Sequence, residues 1–285
     1  MIRLQSDKSM KHPIGIFDSG YGGMTVLREI VASLPEYDFI YAGDNARSPY
    51  GTRSFETVYR YTQEAVTWLF NQGCELVILA CNTASAKALR TIQQKDLSVI
   101  APGKRVLGVI RPITEVAGNF SNSKHIGIFA TPGTVKSNTY VIEIKKFFPE
   151  CIVTQEACPM WVPLIENNEH CSDGAEFFIR KNVQNLLSAD LQIDTVILGC
   201  THYPFIYDKI ASLLPENVTI INQGTIVARS LLDYLRRHPE IDRKLSKNHD
   251  ICFFTSETPD GFDKQAMMFF GNEIRSVQVD FEKIV

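Results

Sequence analysis

The chain has no CxxC pair, no apolar run long enough to cross a membrane and no dominant sign of charge. Each absence excludes something. A structural zinc site has little support without closely paired thiols. A transmembrane helix would need about 20 consecutive apolar residues, and none is present. The opening residues MIRLQSDKSMKHP lack the apolar centre of a signal peptide, so a cytoplasmic location is expected, with no membrane partner. Twenty-nine basic against 32 acidic residues leave a net charge of −3, which gives no electrostatic case for nucleic acid as a partner. Seven cysteines, Cys74, Cys81, Cys151, Cys158, Cys171, Cys200 and Cys252, are an odd number in a chain too large to need disulfide staples, and are expected to be reduced.

What is present is an ordinary globular composition, 45% hydrophobic and 21% charged, in 285 residues, enough for one large domain or two of usual size. Apolar runs of strand length (IGIFD, DFIYAGD, CELVILAC, RVLGVI, HIGIFA, DTVILGC) alternate with stretches of helical period such as TVLREIVASL, SFETVYRYTQEAVTWLF and FFIRKNVQNLLS. That alternation predicts an α/β fold with mostly parallel sheets flanked by helices. Two pairs of strands also resemble each other. IGIFDSGYGG (Ile14 to Gly23) matches IGIFATPGT (Ile126 to Thr134), and LVILACNTAS (Leu76 to Ser85) matches TVILGCTHYP (Thr195 to Pro204), in the same order. We read this as an internal duplication giving two similar domains related by a pseudo-two-fold axis.

Ligands of open parallel sheets sit beyond the carboxyl ends of the strands, where Cys81 and Cys200 both fall, so the two cysteines are expected on opposite walls of one cleft. Taken alone, a strand-end cysteine is most often a small buried hydrophobe. As a pair these two stand out. Cys81 precedes a helical stretch, ASAKALRTIQQ, whose N-terminus would favour a thiolate, and Cys200 is followed by His202, which titrates near neutrality. The other five cysteines lack such a setting. A nucleophile would suit a phosphatase or hydrolase, yet no arginine-bearing phosphate loop follows either cysteine. Metal binding by Cys81, Cys200, His202 and Asp18 is open, although the spacing is not that of known zinc motifs. A pair of bases fits best, one thiolate taking a proton from one face of a carbon and one thiol returning a proton to the other.

The loop FDSGYGGMT (Phe17 to Thr25) follows a strand and opens a helix, which suggests a backbone N–H site for a small carboxylate. It does not complete GxGxxG and has no lysine of a phosphate loop. A tight turn needing glycine dihedrals is the plain alternative. In GDNARSPYG (Gly43 to Gly51), Arg47 reads as a structural or surface cation.

Together, FDSGYGG, GDNARSPYG, ACNTAS, WVPLIE (Trp161 to Glu166) and LGCTHYP resemble the glutamate racemases, cofactor-independent isomerases of the aspartate/glutamate racemase superfamily, in order and over nearly the whole chain. The resemblance implies that Cys81 and Cys200 are the proton donor and acceptor, with Asp18 and His202 as their assistants and Glu166 a further polar residue near Cys200. It places substrate contacts on Asp18, Ser19, Tyr50, Gly51, Asn82, Thr83, Thr131, Thr134, Thr201 and His202. It also implies racemisation of glutamate for peptidoglycan, without metal or other cofactor, Cys81 acting on the D and Cys200 on the L enantiomer. The second motif of aspartate racemases usually reads Cys-Thr-Glu, so His202 favours glutamate. Interleaved domains are implied, 12–103 plus 216–285 on the Cys81 side and 104–215 on the Cys200 side. Arg111, in GVIRPI, stands where that family is variable and often acidic. A homodimer is a candidate assembly, and a non-catalytic amino-acid or nucleotide binding protein is the competing reading.

Overall fold

The computed structural model describes residues 10–283 together with the strand Arg3–Leu4. In chain order the strands are β1 (Arg3–Leu4), β2 (Ile14–Asp18), β3 (Phe39–Gly43), β4 (Leu76–Leu79), β5 (Arg105–Gly108), β6 (His125–Ala130), β7 (Ile152–Ala157), β8 (Thr195–Gly199), β9 (Thr219–Ile221), β10 (Asp250–Thr255) and β11 (Ser276–Gln278). Every pairing is parallel. One sheet has seven strands, in the order β1-β10-β3-β2-β4-β5 with β11 also on β10, and the other has four, in the order β7-β6-β8-β9.

The duplication is visible in the register. In the first sheet Gly15 pairs with Val77, Ile16 with Ile78 and Phe17 with Leu79. In the second, Gly127 pairs with Val196, Ile128 with Ile197 and Phe129 with Leu198. The small sheet thus repeats the run β3-β2-β4-β5 of the large one. A helix precedes the cysteine strand in each half, Phe55–Asn71 and Asp173–Ala189, each 17 residues long and each capped by a serine, Ser54 and Ser172. Both helices press a leucine onto the strand glycine. A Cβ on Gly15 would meet Leu69 at 3.2 Å, and one on Gly127 would meet Leu186 at 2.8 Å.

Side chains alternate faces along each strand. Ile14, Ile16, Leu76 and Ile78 join Phe129, Val196 and Leu198 in one continuous core, which also takes helices Gly23–Ser33, Gln223–Arg237 and Pro259–Phe270. Phe17, Val77 and Leu79 face a second core under helix Phe55–Asn71, and Ile126, Ile128 and Ile197 a third.

Sheet membership moves the expected crossovers. β5 pairs with β4, so the chain leaves the large sheet after Gly108 rather than before Lys104. β9 pairs with β8, so the chain returns after Ile221 rather than at Glu216. Each sheet takes one more edge strand than the sequence boundaries allowed, since an apolar edge gains by being paired. The helix expected over ASAKALRTIQQ is also broken. Asn82–Lys87 is α-helical, and a widened π turn occupies Ile92–Asp96. From that turn Gln93 donates a hydrogen bond at 2.7 Å to the Val106 carbonyl of edge strand β5.

Candidate active site

The carboxyl ends of strands from both sheets open on one cavity of about 220 Å³. From the large sheet come Ser19 after β2, Ser48 to Thr52 after β3, and Cys81, Asn82 and Thr83 after β4. From the small sheet come Thr131 and Pro132 after β6, Cys158 and Pro159 after β7, and Cys200, Thr201 and His202 after β8, with Glu166 closing one side. Cys81 and Cys200 occupy matching positions in the duplicated strands, and each is 6% exposed.

Cys81 caps the helix Asn82–Lys87, and its Sγ accepts from Ala84 N–H at 3.4 Å and lies 3.4 Å from Ser19 Oγ. The helix N-terminus was expected to depress the thiol. Instead burial, reinforced by the negative charge of Asp18, pushes Cys81 up to about 12, and the Ser19 and Ala84 contacts only partly offset this. Cys81 is therefore a thiol at neutral pH.

On the facing wall His202 bridges Cys200 and Glu166, with Nδ1 3.8 Å from Cys200 Sγ and Nε2 3.0 Å from Glu166 Oε1. Burial disfavours the imidazolium, but hydrogen bonds and charge from Cys200 and Glu166 outweigh it and raise His202 from 6.5 to about 10. A cation thus sits beside Cys200 at neutral pH. The two assistants differ in kind: Asp18 ends β2, while its counterpart at the end of β6 is Ala130.

Asp18 lies just behind the cavity wall. Burial raises its carboxyl, against the opposing charge of His202 and the N–H groups of Gly20 and Gly23. Gly20 N–H donates to Oδ1 at 2.9 Å, and the buried Oδ2 has no hydrogen-bond partner in the protein. The N–H groups of Gly20 and Gly23 are thus turned to the chain's own carboxylate. The reading of a turn that needs glycine dihedrals fails, because Gly20, Gly22 and Gly23 all lie outside the positive-φ region. What fixes Gly22 is close approach: a Cβ there would fall 2.2 Å from Thr201 Oγ1 and 2.4 Å from His202 Nδ1. Thr25 Oγ1 fastens the same junction with a hydrogen bond to the Thr201 carbonyl.

The remaining candidates form the opposite seam. Gly51 O accepts from Gly133 N–H at 2.7 Å, and Thr83 Oγ1 lies 2.9 Å from Thr131 Oγ1 and 3.3 Å from Thr134 Oγ1. Thr134 is fully buried behind Thr131 and does not line the cavity. Tyr50 does, with its hydroxyl bonded to Asp44. Arg47 is structural, paired with Asp44, Glu64 and Glu282. A larger, open groove of about 470 Å³ beside Arg47 and Gln278 to Glu282 holds none of the candidates. Arg111 is exposed, pairs with Glu115 at 2.8 Å and is absent from the cavity.

Sequence reasoning missed Cys158, which follows β7 as Cys200 follows β8 and lines the same cavity; the strand-end pattern QEACP was the available signal. It also missed Tyr140 and Gln223, buried partners of Asn82. Among the described residues no group of three or more His, Cys, Asp and Glu side chains is placed to hold a metal ion. No helix among them is long and apolar enough to cross a membrane.

Two duplicated α/β halves turn their strand carboxyl ends onto one cavity, the architecture of a cleft enzyme. Residues 14–231 match the Asp/Glu/Hydantoin racemase family model, and the chain belongs to that family. It is 40% identical over 270 residues to a glutamate racemase of Geobacter metallireducens, covering 94% of this chain and 97% of that one. Among solved structures, a glutamate racemase isoform from Bacillus anthracis superposes with a TM-score of 0.85 at 34% identity, covering 94% and 97% of the two chains. The glutamate racemase of Francisella tularensis in complex with D-glutamate gives 0.84 at 32% identity, covering 95% and 98%.

Proposed function

We propose that the chain interconverts L- and D-glutamate by proton transfer between Cys81 and Cys200, without a cofactor, and that it supplies D-glutamate for peptidoglycan. The observation that carries this reading is the placement of the two thiols at equivalent strand ends on one 220 Å³ cavity. The relatives' names and the D-glutamate complex supply the substrate, and peptidoglycan supply is the role that the resemblance to glutamate racemases implies.

In the L to D direction the Cys200 thiolate, beside the His202 cation, removes the α-proton, and the Cys81 thiol delivers one to the opposite face. Cys81 is then thiolate and Cys200 thiol, the pair of states from which the reverse reaction starts. An α-proton is far less acidic than a thiol, so the carbanion needs stabilisation. Among the described residues no lysine or arginine lines the cavity, and hydroxyl donors of Ser19, Thr83, Thr131 and Thr201 hold the carboxylate as charge spreads onto it. Asp18 and His202 set the protonation of the thiols on their own sides. For assembly we propose a homodimer, whose apolar surface would include the exposed Phe177 and Tyr207; a monomeric mass in sedimentation would refute it.

Circular dichroism of L-glutamate with purified, cofactor-free protein tests the activity. Cys81→Ala and Cys200→Ala should each abolish turnover with the fold intact, and near wild-type rates in either would refute the two-base reading. Loss of activity on chelation, restored by a metal, would refute the cofactor-free part. In deuterated water the D product should carry solvent deuterium at the α-carbon from the first turnovers, while residual L-glutamate stays protiated. Product that is mainly protiated would point to a single base.

A further inference from the structure

Asn82 follows Cys81 directly, and its side-chain amide is already occupied by protein. Nδ2 donates to Tyr140 Oη at 2.9 Å and to Gln223 Oε1 at 2.9 Å, and Oδ1 accepts from Gln223 Nε2 at 3.0 Å. All three side chains are within 2% of full burial. They come from three parts of the chain: Asn82 opens the helix after β4, Tyr140 lies in helix Thr139–Phe147 against the small sheet, and Gln223 opens the returning helix after β9. Both amide hydrogens are committed, one to Tyr140 of the small-sheet half and one to Gln223 of the helix that returns to the large-sheet half, so the rotamer of Asn82 is fixed from both halves of the molecule. The peptide that carries Cys81 is fixed with it.

We propose that Gln223 and Tyr140 are positioning residues for Cys81, their hydrogen bonds to Asn82 holding its thiol at the working distance from the α-carbon, and that these hydrogen bonds have no such effect on Cys200. The inference rests on the two-base reading above. It assigns Asn82 a role in aligning the base rather than in binding substrate with its side-chain amide. Cys200 is held by His202, Glu166 and the Gly22 junction, which do not include Gln223; the Tyr140 ring also packs against Gly199, the residue before Cys200, a contact separate from its hydroxyl bond to Asn82.

The variants are Gln223→Leu and Tyr140→Phe. Phenylalanine keeps the ring in its core and removes only the hydroxyl, so it reports even if Gln223→Leu folds poorly. Misplacement of one base by a fraction of an ångström should lower kcat by roughly tenfold or more, with KM changed far less. Rate loss alone would not separate positioning from general damage. The kinetic isotope effect with α-deuterated substrate does, because it reports whichever proton removal limits the rate. From D-glutamate, whose proton goes to Cys81, the effect should rise above wild type. From L-glutamate, whose proton goes to Cys200, it should fall towards unity. Unchanged isotope effects in both directions, or the reverse pattern, would overturn the inference. Wild-type protein without any racemisation would overturn the two-base reading instead.

Discussion

Gly22 gives the sharpest test of how the two halves are joined. Its backbone is ordinary right-handed helical, φ −57° and ψ −35°, so alanine there carries no conformational strain. The cost is contact: the added Cβ would sit 2.2 Å from Thr201 Oγ1 and 2.4 Å from His202 Nδ1. Reaching normal separation requires Thr201 and His202 to retreat by about 1 Å. Thr201 adjoins Cys200, and His202 lies 3.8 Å from its sulfur, so the displacement falls on one of the two bases. A shift of that size is worth roughly 100-fold in rate, and overpacking costs about 1–3 kcal/mol of stability. We expect Gly22→Ala to lose about that much kcat in the dichroism assay while thermal unfolding falls by only several degrees. The control is Gly103→Ala. Gly103 has φ +84° and nothing within 4 Å of its missing Cβ, so alanine strains only the backbone and should cost about 1 kcal/mol with kcat unchanged. Wild-type kcat in Gly22→Ala, or equal activity losses in both variants, would refute the close-approach argument.

The charge on His202 carries a pH signature. Its folded value of about 10 exceeds the ordinary 6.5, so the stability it contributes is complete below pH 6.5 and is lost as pH rises through about 10. Glu166→Gln removes one of the groups that raise it, so the alkaline fall in stability and activity should begin at lower pH; an unmoved alkaline limb would refute the ion-pair reading. Asp18→Asn and His202→Asn should change kcat and KM differently in the two directions. Because the enantiomers are equally stable, kcat/KM must remain equal both ways, and equal kcat losses in both directions in both variants would mean that neither assistant is tied to one thiol. Gly127→Ala should destabilise through the 2.8 Å contact with Leu186 without touching the cleft, and wild-type thermal stability would contradict that packing.

The sequence by itself determined the alternation of strands and helices, the duplication, and the two thiols at matching strand ends. These are local or periodic properties: a period of two, a helix pattern and a repeated string can be read along the chain. The near-identical registers Gly15 with Val77 and Gly127 with Val196 follow from that repetition. Tertiary structure decided what depends on residues far apart in the chain. The edge strands β5 and β9 went to whichever sheet offered a free pairing edge, which no local pattern records. Cys81 rose instead of falling because burial and Asp18, 63 positions earlier by number, outweigh the helix N-terminus. Gly22, in a loop whose glycines suggested a turn or an anion cradle, makes the close contact between the halves, and the side-chain amide of Asn82 is bonded to Tyr140 and Gln223, which no local pattern records. In each case the deciding term was the desolvation, contact or hydrogen bond of a buried side chain, quantities that exist only once the chain has closed on itself.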